Sequence, residues 1–234
     1  AGGLDVKHAT SSTDATVAVL AVLEVPALRR VDHVTSVTKD DAIVPYVPGY
    51  LAFREAPAYA ALVARCRRRP DVILVDGNGV LHPRACGVAS HVGVTLDMPT
   101  IGIAKELQAV DGLTKRAVAA DLVPALRAFG DWRPLVGASG RVWGAVVRTT
   151  HPQKNHKSDA SRRRRRRPTA GEDDDDDDDQ DAEQPADNFK PIFVSTGHDV
   201  SLETAVRLVV ACSRYRIPEP IRHADLLGRG REPL

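Results

Sequence analysis

A chain of 234 residues with 43% hydrophobic and 27% charged side chains has the composition of a globular protein long enough to bury a sizeable core. No stretch approaches the roughly 20 apolar residues of a membrane span. Cys66, Cys86 and Cys212 are odd in number and lack CxxC spacing, which argues against a disulfide framework or a zinc site and points to a reducing compartment. The net charge of +1 hides an uneven distribution: residues 151–188 hold eight basic and twelve acidic side chains, a net of −4, so the remainder carries +5. A modest positive excess suits a partner with a phosphate backbone.

In chain order, Gly3 to His8 reads as a short strand carrying Asp5 among apolar neighbours. The opening Ala1-Gly2-Gly3 has no signal-peptide pattern and reads as a trimmed start. Ala15 to Val25 and Leu28 to Val37 follow as β-rich runs joined at Pro26, an antiparallel three-strand meander. In the third run Val31, Thr35 and Val37 share a face that Val34 breaks. Asp40 to Pro48 is a loop. Because proline is tolerated in a first helical turn, Pro57 predicts a helix starting near Glu55 or Ala56 and running to about Arg68, its apolar face made by Ala58, Tyr59, Leu62, Val63 and Cys66. Asp71 to Val75 is a β-branched strand that stops at the turn Asp76-Gly77-Asn78-Gly79. Residues 85–96 predict a helix, Pro99 to Ala104 a strand ending at Lys105, and 115–128 a further helix. Arg141 to Thr149 and Phe189 to Ser195 read as paired strands. Ser201 is a good N-cap for a last helix reaching about Arg214, with Glu203 in its first turn. A meander followed by alternating helices and strands is an α/β pattern with a mixed sheet and flanking helices, as in RNase H-like folds. Residues 1–152 and 189–234 form the single domain. Between them, 153–188 contain six consecutive arginines, Arg162 to Arg167, and seven consecutive aspartates, Asp173 to Asp179. Such blocks repel internally and bury nothing, which predicts a disordered insertion within a hairpin loop.

Three carboxylates sit where packing alone would not put them. Asp5 lies in a strand, where Asp is disfavoured. Asp76 ends the run Val72-Ile73-Leu74-Val75, and Glu55 stands three, four and seven residues before Ala58, Tyr59 and Leu62, on the buried face of its helix. Each alone admits a plain reading, as an edge residue, a turn cap or a helix-dipole partner. Together they could hold Mg²⁺ through oxygen ligands, since a divalent cation is the strongest compensator of buried negative charge. Such a metal activates water for phosphodiester hydrolysis. His198, after Ser195-Thr196-Gly197 at a strand–helix junction, either contacts a phosphate or metal or fills a helix N-terminal turn. Lys105 would lie near Asp76 if their strands are parallel neighbours, and His82 follows the Asp76 turn. Tyr46, stiffened between Pro45 and Pro48, is an aromatic able to wedge into a base stack or to pack back on the core. Gly77-Asn78-Gly79 lets backbone amides approach a flat ligand.

These segments resemble the endonuclease V family. Val44-Pro45-Tyr46-Val47-Pro48-Gly49-Tyr50-Leu51-Ala52-Phe53-Arg54-Glu55 and Leu74-Val75-Asp76-Gly77-Asn78-Gly79-Val80-Leu81-His82 are long, specific matches. Gly102-Ile103-Ala104-Lys105, Ser195-Thr196-Gly197-His198 and Arg216-Ile217-Pro218-Glu219-Pro220-Ile221-Arg222 follow in the family's order. The resemblance implies an RNase H-like fold and hydrolysis, with Mg²⁺ or Mn²⁺ as cofactor, of the second phosphodiester bond 3′ to inosine, leaving 3′-hydroxyl and 5′-phosphate ends. It assigns the metal to Asp5 and Asp76 with Glu55 assisting through water, and the scissile phosphate to Lys105 and His198. The strand would meet His82, the wedge would be Tyr46, and Gly49, Leu51, Gly77 and Gly79 would line the hypoxanthine pocket. Family members carry a helical segment ahead of the first catalytic strand, and the charged insertion is foreign to their pattern. Arg-Ile-Pro-Glu-Pro resembles the eukaryotic branch, which favours inosine in RNA. The expected partner is therefore inosine-containing single-stranded RNA or DNA, met by a monomer in cytoplasm or nucleus (the nucleolus included), away from membranes. The rival reading is a non-catalytic inosine-RNA binding module of the same fold. A junction resolvase or UvrC-type nuclease would lack the Pro-Tyr-Val-Pro loop and the Asp-Gly-Asn-Gly turn.

Overall fold

A computed structural model describes residues 1–7, 15–39, 47, 49–152 and 189–233. The wedge candidate Tyr46 and the charged insertion 153–188 lie outside the described residues.

Among the described residues, eight strands form one mixed sheet in the order β3-β2-β1-β4-β5-β8-β7-β6. The expected meander is present: β1 (Gly2–Lys7), β2 (Ala15–Glu24) and β3 (Arg29–Lys39) pair antiparallel. Next to β1 stand β4 (Ile73–Asp76) and β5 (Thr100–Ala104), each parallel to its neighbour. The antiparallel strands β8 (Ile192–His198), β7 (Val142–Val147) and β6 (Trp132–Val136) complete the sheet. Helices α1 (Leu51–Arg65) and α2 (Val88–Leu96) cover one face, and α4 (Leu202–Ala211) and α5 (Glu219–Gly228) the other. The short α3 (Lys115–Asp121) and a 3₁₀ turn at Val123–Ala125 pack with β6 and β7 in a third cluster.

Strand alternation explains the layering. Leu4, Leu20, Ile73 and Val75 meet Tyr59, Leu62 and Val92 of the α1–α2 layer, whereas Ala21, Leu74, Ile101 and Val194 meet Val206, Val209 and Ile221 beneath α4 and α5. A central strand covered on both sides has no polar face, so Val72-Ile73-Leu74-Val75 reads as an unbroken apolar run. At the sheet edge, Val31, Thr35 and Val37 do share a face, and it is the exposed one; Val34 points the other way and packs toward α1.

The sequence places several boundaries differently. Helix α1 begins at Leu51, so Pro57 lies inside it, and Glu55 occupies its second turn rather than its edge. Pro57 and Phe53 are both exposed, so the turn in which proline removes a helical donor lies on the outer side of the helix. The helix stops at Arg65 because Asp32 of β3 captures the next amides, accepting from Arg67 N and Arg68 N at 2.8 and 2.9 Å. The expected helix 115–128 breaks at Asp121, two residues before the 3₁₀ turn containing Pro124. Ser201 caps α4 as expected, its hydroxyl accepting from Thr204 N. Strand β6 and helix α5 are unread in the sequence, because β6 buries only Leu135 fully and contains Pro134, and α5 buries the polar Glu219 and His223.

Candidate active site

Two adjacent parallel strands deliver the first carboxylates. Parallel pairing sets Gly3 beside Leu74 and Leu4 beside Val75, so Asp5 and Asp76 occupy the next position on each strand. Asp76 pairs with Ile103, and β5 ends one residue later. Lys105 then turns back to place Nζ 2.5 Å from Asp76 Oδ2, the proximity expected of parallel neighbours.

Helix α1 supplies the third. Glu55 is only 5% exposed, and one turn on, the buried Tyr59 donates its hydroxyl to Glu55 Oε2 at 3.1 Å. Burial pushes the Glu55 carboxyl up to about 7, with the Asp76 charge adding to the rise against the opposing Tyr59 hydrogen bond and Arg54 charge. Burial, together with the charges of Glu55, Asp5 and Asp76, raises the Tyr59 phenol as well. One buried hydroxyl thus feels all three carboxylates. Sequence reasoning took Tyr59 only for core; its position four residues after Glu55, on the same helix face, was the available signal.

A carboxyl held near 7 in the fold and near 4.5 when unfolded makes the native state lose stability as pH rises between those values. Glu55→Gln removes that loss. In EDTA, chemical denaturation of the variant at pH 8 should show a gain of up to about 3 kcal/mol, shrinking toward nothing at pH 4.5. A gain independent of pH would place the effect elsewhere.

Beside the carboxylates opens a cavity of about 200 Å³, lined by Gly49, Ala52, Gly77, Asn78, His82 and Gln108 among others. Gly49 adopts φ +80°, which an L side chain rarely takes, and its carbonyl accepts from the Arg84 guanidinium. Asn78 Nδ2 donates to Gln108 Oε1 at 3.0 Å. His82, expected against the strand, is buried in the cavity wall; Nδ1 accepts from Arg84 N at 3.2 Å, and burial, then the Arg84 charge, holds its pKa low. Leu51 is the first residue of α1, two positions after Gly49. Gly79, expected in the lining, instead anchors the turn: its N–H donates to Ser195 Oγ at 2.9 Å, and a Cβ there would enter the Thr196 carbonyl.

His198 is not brought to the carboxylates. Antiparallel register sets it opposite Thr100, three residues from Ile103, or about 10 Å along the strand from the Asp76 rung. Its Nε2 lies 3.8 Å from Asp97 Oδ1. Of the cysteines, Cys66 hydrogen-bonds to Asp32 Oδ2 and Cys212 is buried; burial pushes both thiols up to about 11. Cys86 is exposed and lines the cavity.

The donor set suits a hard divalent cation: two carboxylates on neighbouring strands and a buried third, Glu55, which burial and then the Asp76 charge raise. Among the described residues, no three His, Cys, Asp or Glu side chains form a ready-made metal cluster, so a cation would have to draw the carboxylates in and displace Lys105 from Asp76. No helix of the described residues is long and apolar enough to cross a membrane.

An eight-stranded mixed sheet with flanking helices and acidic residues on adjacent parallel strands is an RNase H-like fold, the fold of the solved endonuclease V structures this chain matches. Residues 1–156 and 181–226 match the family model described as Endonuclease V, and the chain belongs to the endonuclease V family. Mouse endonuclease V is 40% identical over 233 residues, covering 97% of this chain and 58% of the mouse protein. The human protein is 39% identical, covering 97% of this chain and 70% of the relative. The crystal structure of the human catalytic domain superposes with a TM-score of 0.76 at 39% identity, covering 98% of this chain and 80% of that one. Endonuclease V of Ciona intestinalis, solved with a 24mer DNA containing an inosine followed by a ribo-adenosine, gives 0.74 at 31% identity, covering 98% and 83%.

Proposed function

We propose that this chain is a Mg²⁺-dependent endonuclease (Mn²⁺ substituting) that cuts single-stranded RNA or DNA at the second phosphodiester bond 3′ to inosine, leaving 3′-hydroxyl and 5′-phosphate ends. The observation that carries it is the placement of Asp5 and Asp76 at matching positions on the neighbouring parallel strands β1 and β4, with the buried Glu55 held by the Tyr59 hydroxyl and within reach of the Asp76 charge, beside a glycine-rimmed cavity. A family relative holding an inosine-containing strand supports the substrate class.

Asp5, Asp76 and Glu55 would hold the cation. When bound, such an ion lowers the pKa of water and neutralises charge on the leaving oxygen. The chain's own groups do the rest. Lys105, half-exposed at the end of β5, exchanges Asp76 for a phosphate oxygen and offsets its charge. The cavity takes the extruded base, with Gly49 and Gly77 giving backbone access. His198, beside Asp97, stands outside this machinery.

The pairing of Lys105 with Asp76 also favours a second reading, an inosine-strand binder without turnover. Matched single- and double-stranded RNA and DNA, each carrying one inosine, decide between them when incubated with and without Mg²⁺. Cleavage that needs Mg²⁺ and inosine supports the nuclease. Strands that shift on a gel yet stay whole in Mg²⁺ and in Mn²⁺ overturn it and leave the binder.

A further inference from the structure

The mouth of the cavity carries an aromatic surface that the catalytic reading leaves unused. In a chain whose aromatic content is 4%, Tyr50 and Phe53 are 47% and 61% exposed. Tyr50 immediately follows Gly49 of the cavity rim, and Phe53 lies two residues before Glu55. Their ring centroids are 5.9 Å apart, and Phe53 meets His91 of α2 edge-on at 4.9 Å. Arg84 lies over the Tyr50 ring at 4.0 Å while donating to the Gly49 carbonyl. The start of α1 with its N-cap Tyr50, the helix α2 and the turn at Arg84 therefore hold three rings and a guanidinium together at the entrance of the site, with Tyr50 and Phe53 facing water.

Rings this exposed gain only part of what hydrophobic burial offers, and contact among themselves leaves much of each ring wet. Rings beside a cation are the recurring surface for unpaired nucleic acid, because every base has a π-face and every nucleotide a phosphate. The geometry points to Tyr50, Phe53 and His91, with Arg84, as a stacking platform for an unpaired base next to the extruded inosine. This rests on the strand-binding reading above and adds to it a residue-level determinant: the platform grips the flanking nucleotide and makes single-stranded flanks the favoured context. The surface is sequence-tolerant, since stacking does not read base edges.

Binding is measured by anisotropy of labelled single-stranded 12-mers, RNA and DNA, each with one inosine, in EDTA so that no strand is cut. Phe53→Ala and Tyr50→Ala should each weaken binding about 10-fold. Phe53→Trp should keep or tighten it, whereas Phe53→Leu should not rescue it, which separates stacking from packing. Tyr215→Ala, an exposed aromatic outside the platform, should leave binding unchanged. In two further series the nucleotide on one side of inosine, then the other, is made abasic. In one series the wild type should weaken about 10-fold and Phe53→Ala should then cost nothing more. Equal losses with and without both flanking bases, or no loss in Phe53→Ala, overturn the platform. Wild-type cleavage with no such coupling sinks the platform alone; coupling without cleavage sinks the nuclease alone.

Discussion

Asp76→Asn should lower cleavage of an inosine-bearing strand by about 10³-fold or more, while binding of the same strand in EDTA changes little. The shape at the strand end survives, because Asn is isosteric. What goes is one negative charge beside Asp5 and opposite the Lys105 ammonium. A loss of that size corresponds to about 4 kcal/mol of transition-state stabilisation, reasonable for one oxygen ligand of a divalent ion and the partner of a phosphate-directed lysine. The same substitution removes the Asp76 contribution that raises Glu55, so the pH-dependence of stability in EDTA should weaken in parallel. Single-turnover rates within tenfold of wild type would remove Asp76 from the chemistry.

Gly102→Ala should destabilise the fold by about 3 kcal/mol or more, lowering the melting temperature by roughly 6–12 °C for a chain of this size. Gly102 is the middle residue of β5. A Cβ there would enter the Gly79 amide and lie 2.7 Å from the Gly77 carbonyl. The obstacle is backbone on a central strand that cannot yield as a side chain would. Gly140→Ala provides the comparison: its φ is +81° but nothing lies within 4 Å of a Cβ, so it should cost only about 1 kcal/mol of backbone strain. Equal melting temperatures for the two variants would show that strand and turn are not in close contact. Because Gly77 and Asn78 line the cavity, Gly102→Ala should also weaken strand binding at temperatures where the variant remains folded.

Local chemistry decided what could be read in the sequence. The meander, β4, β5 and the Ser201 cap follow from periodicity, β-branching and turn residues, and these elements are where expected. Asp5 and Asp76 each admitted a plain reading as an edge residue or a turn cap, and it was their occurrence together with Glu55 in one α/β pattern that singled them out. Three other features depend on partners distant in sequence. The end of α1 is set by Asp32, more than thirty residues earlier. Gly79 had the look of a pocket residue, but its N–H and its missing side chain both answer to β8. The family resemblance implied His198 at the scissile phosphate, yet antiparallel register carries it to the other end of β5. Residue spacing along one strand does not report which end of its neighbour it meets. Strand β6 was hidden because it buries a single side chain fully, and α5 because its inner face holds Glu219 and His223.

The unequal surroundings of the three cysteines have a practical outcome. Burial makes the Cys66 and Cys212 thiols poor nucleophiles, whereas Cys86 is exposed on the cavity lining. An environment-sensitive maleimide dye should therefore attach chiefly at Cys86 in the unaltered polypeptide. Its emission would report occupancy of the cavity in real time, and an inosine-bearing oligonucleotide added first should slow its attachment.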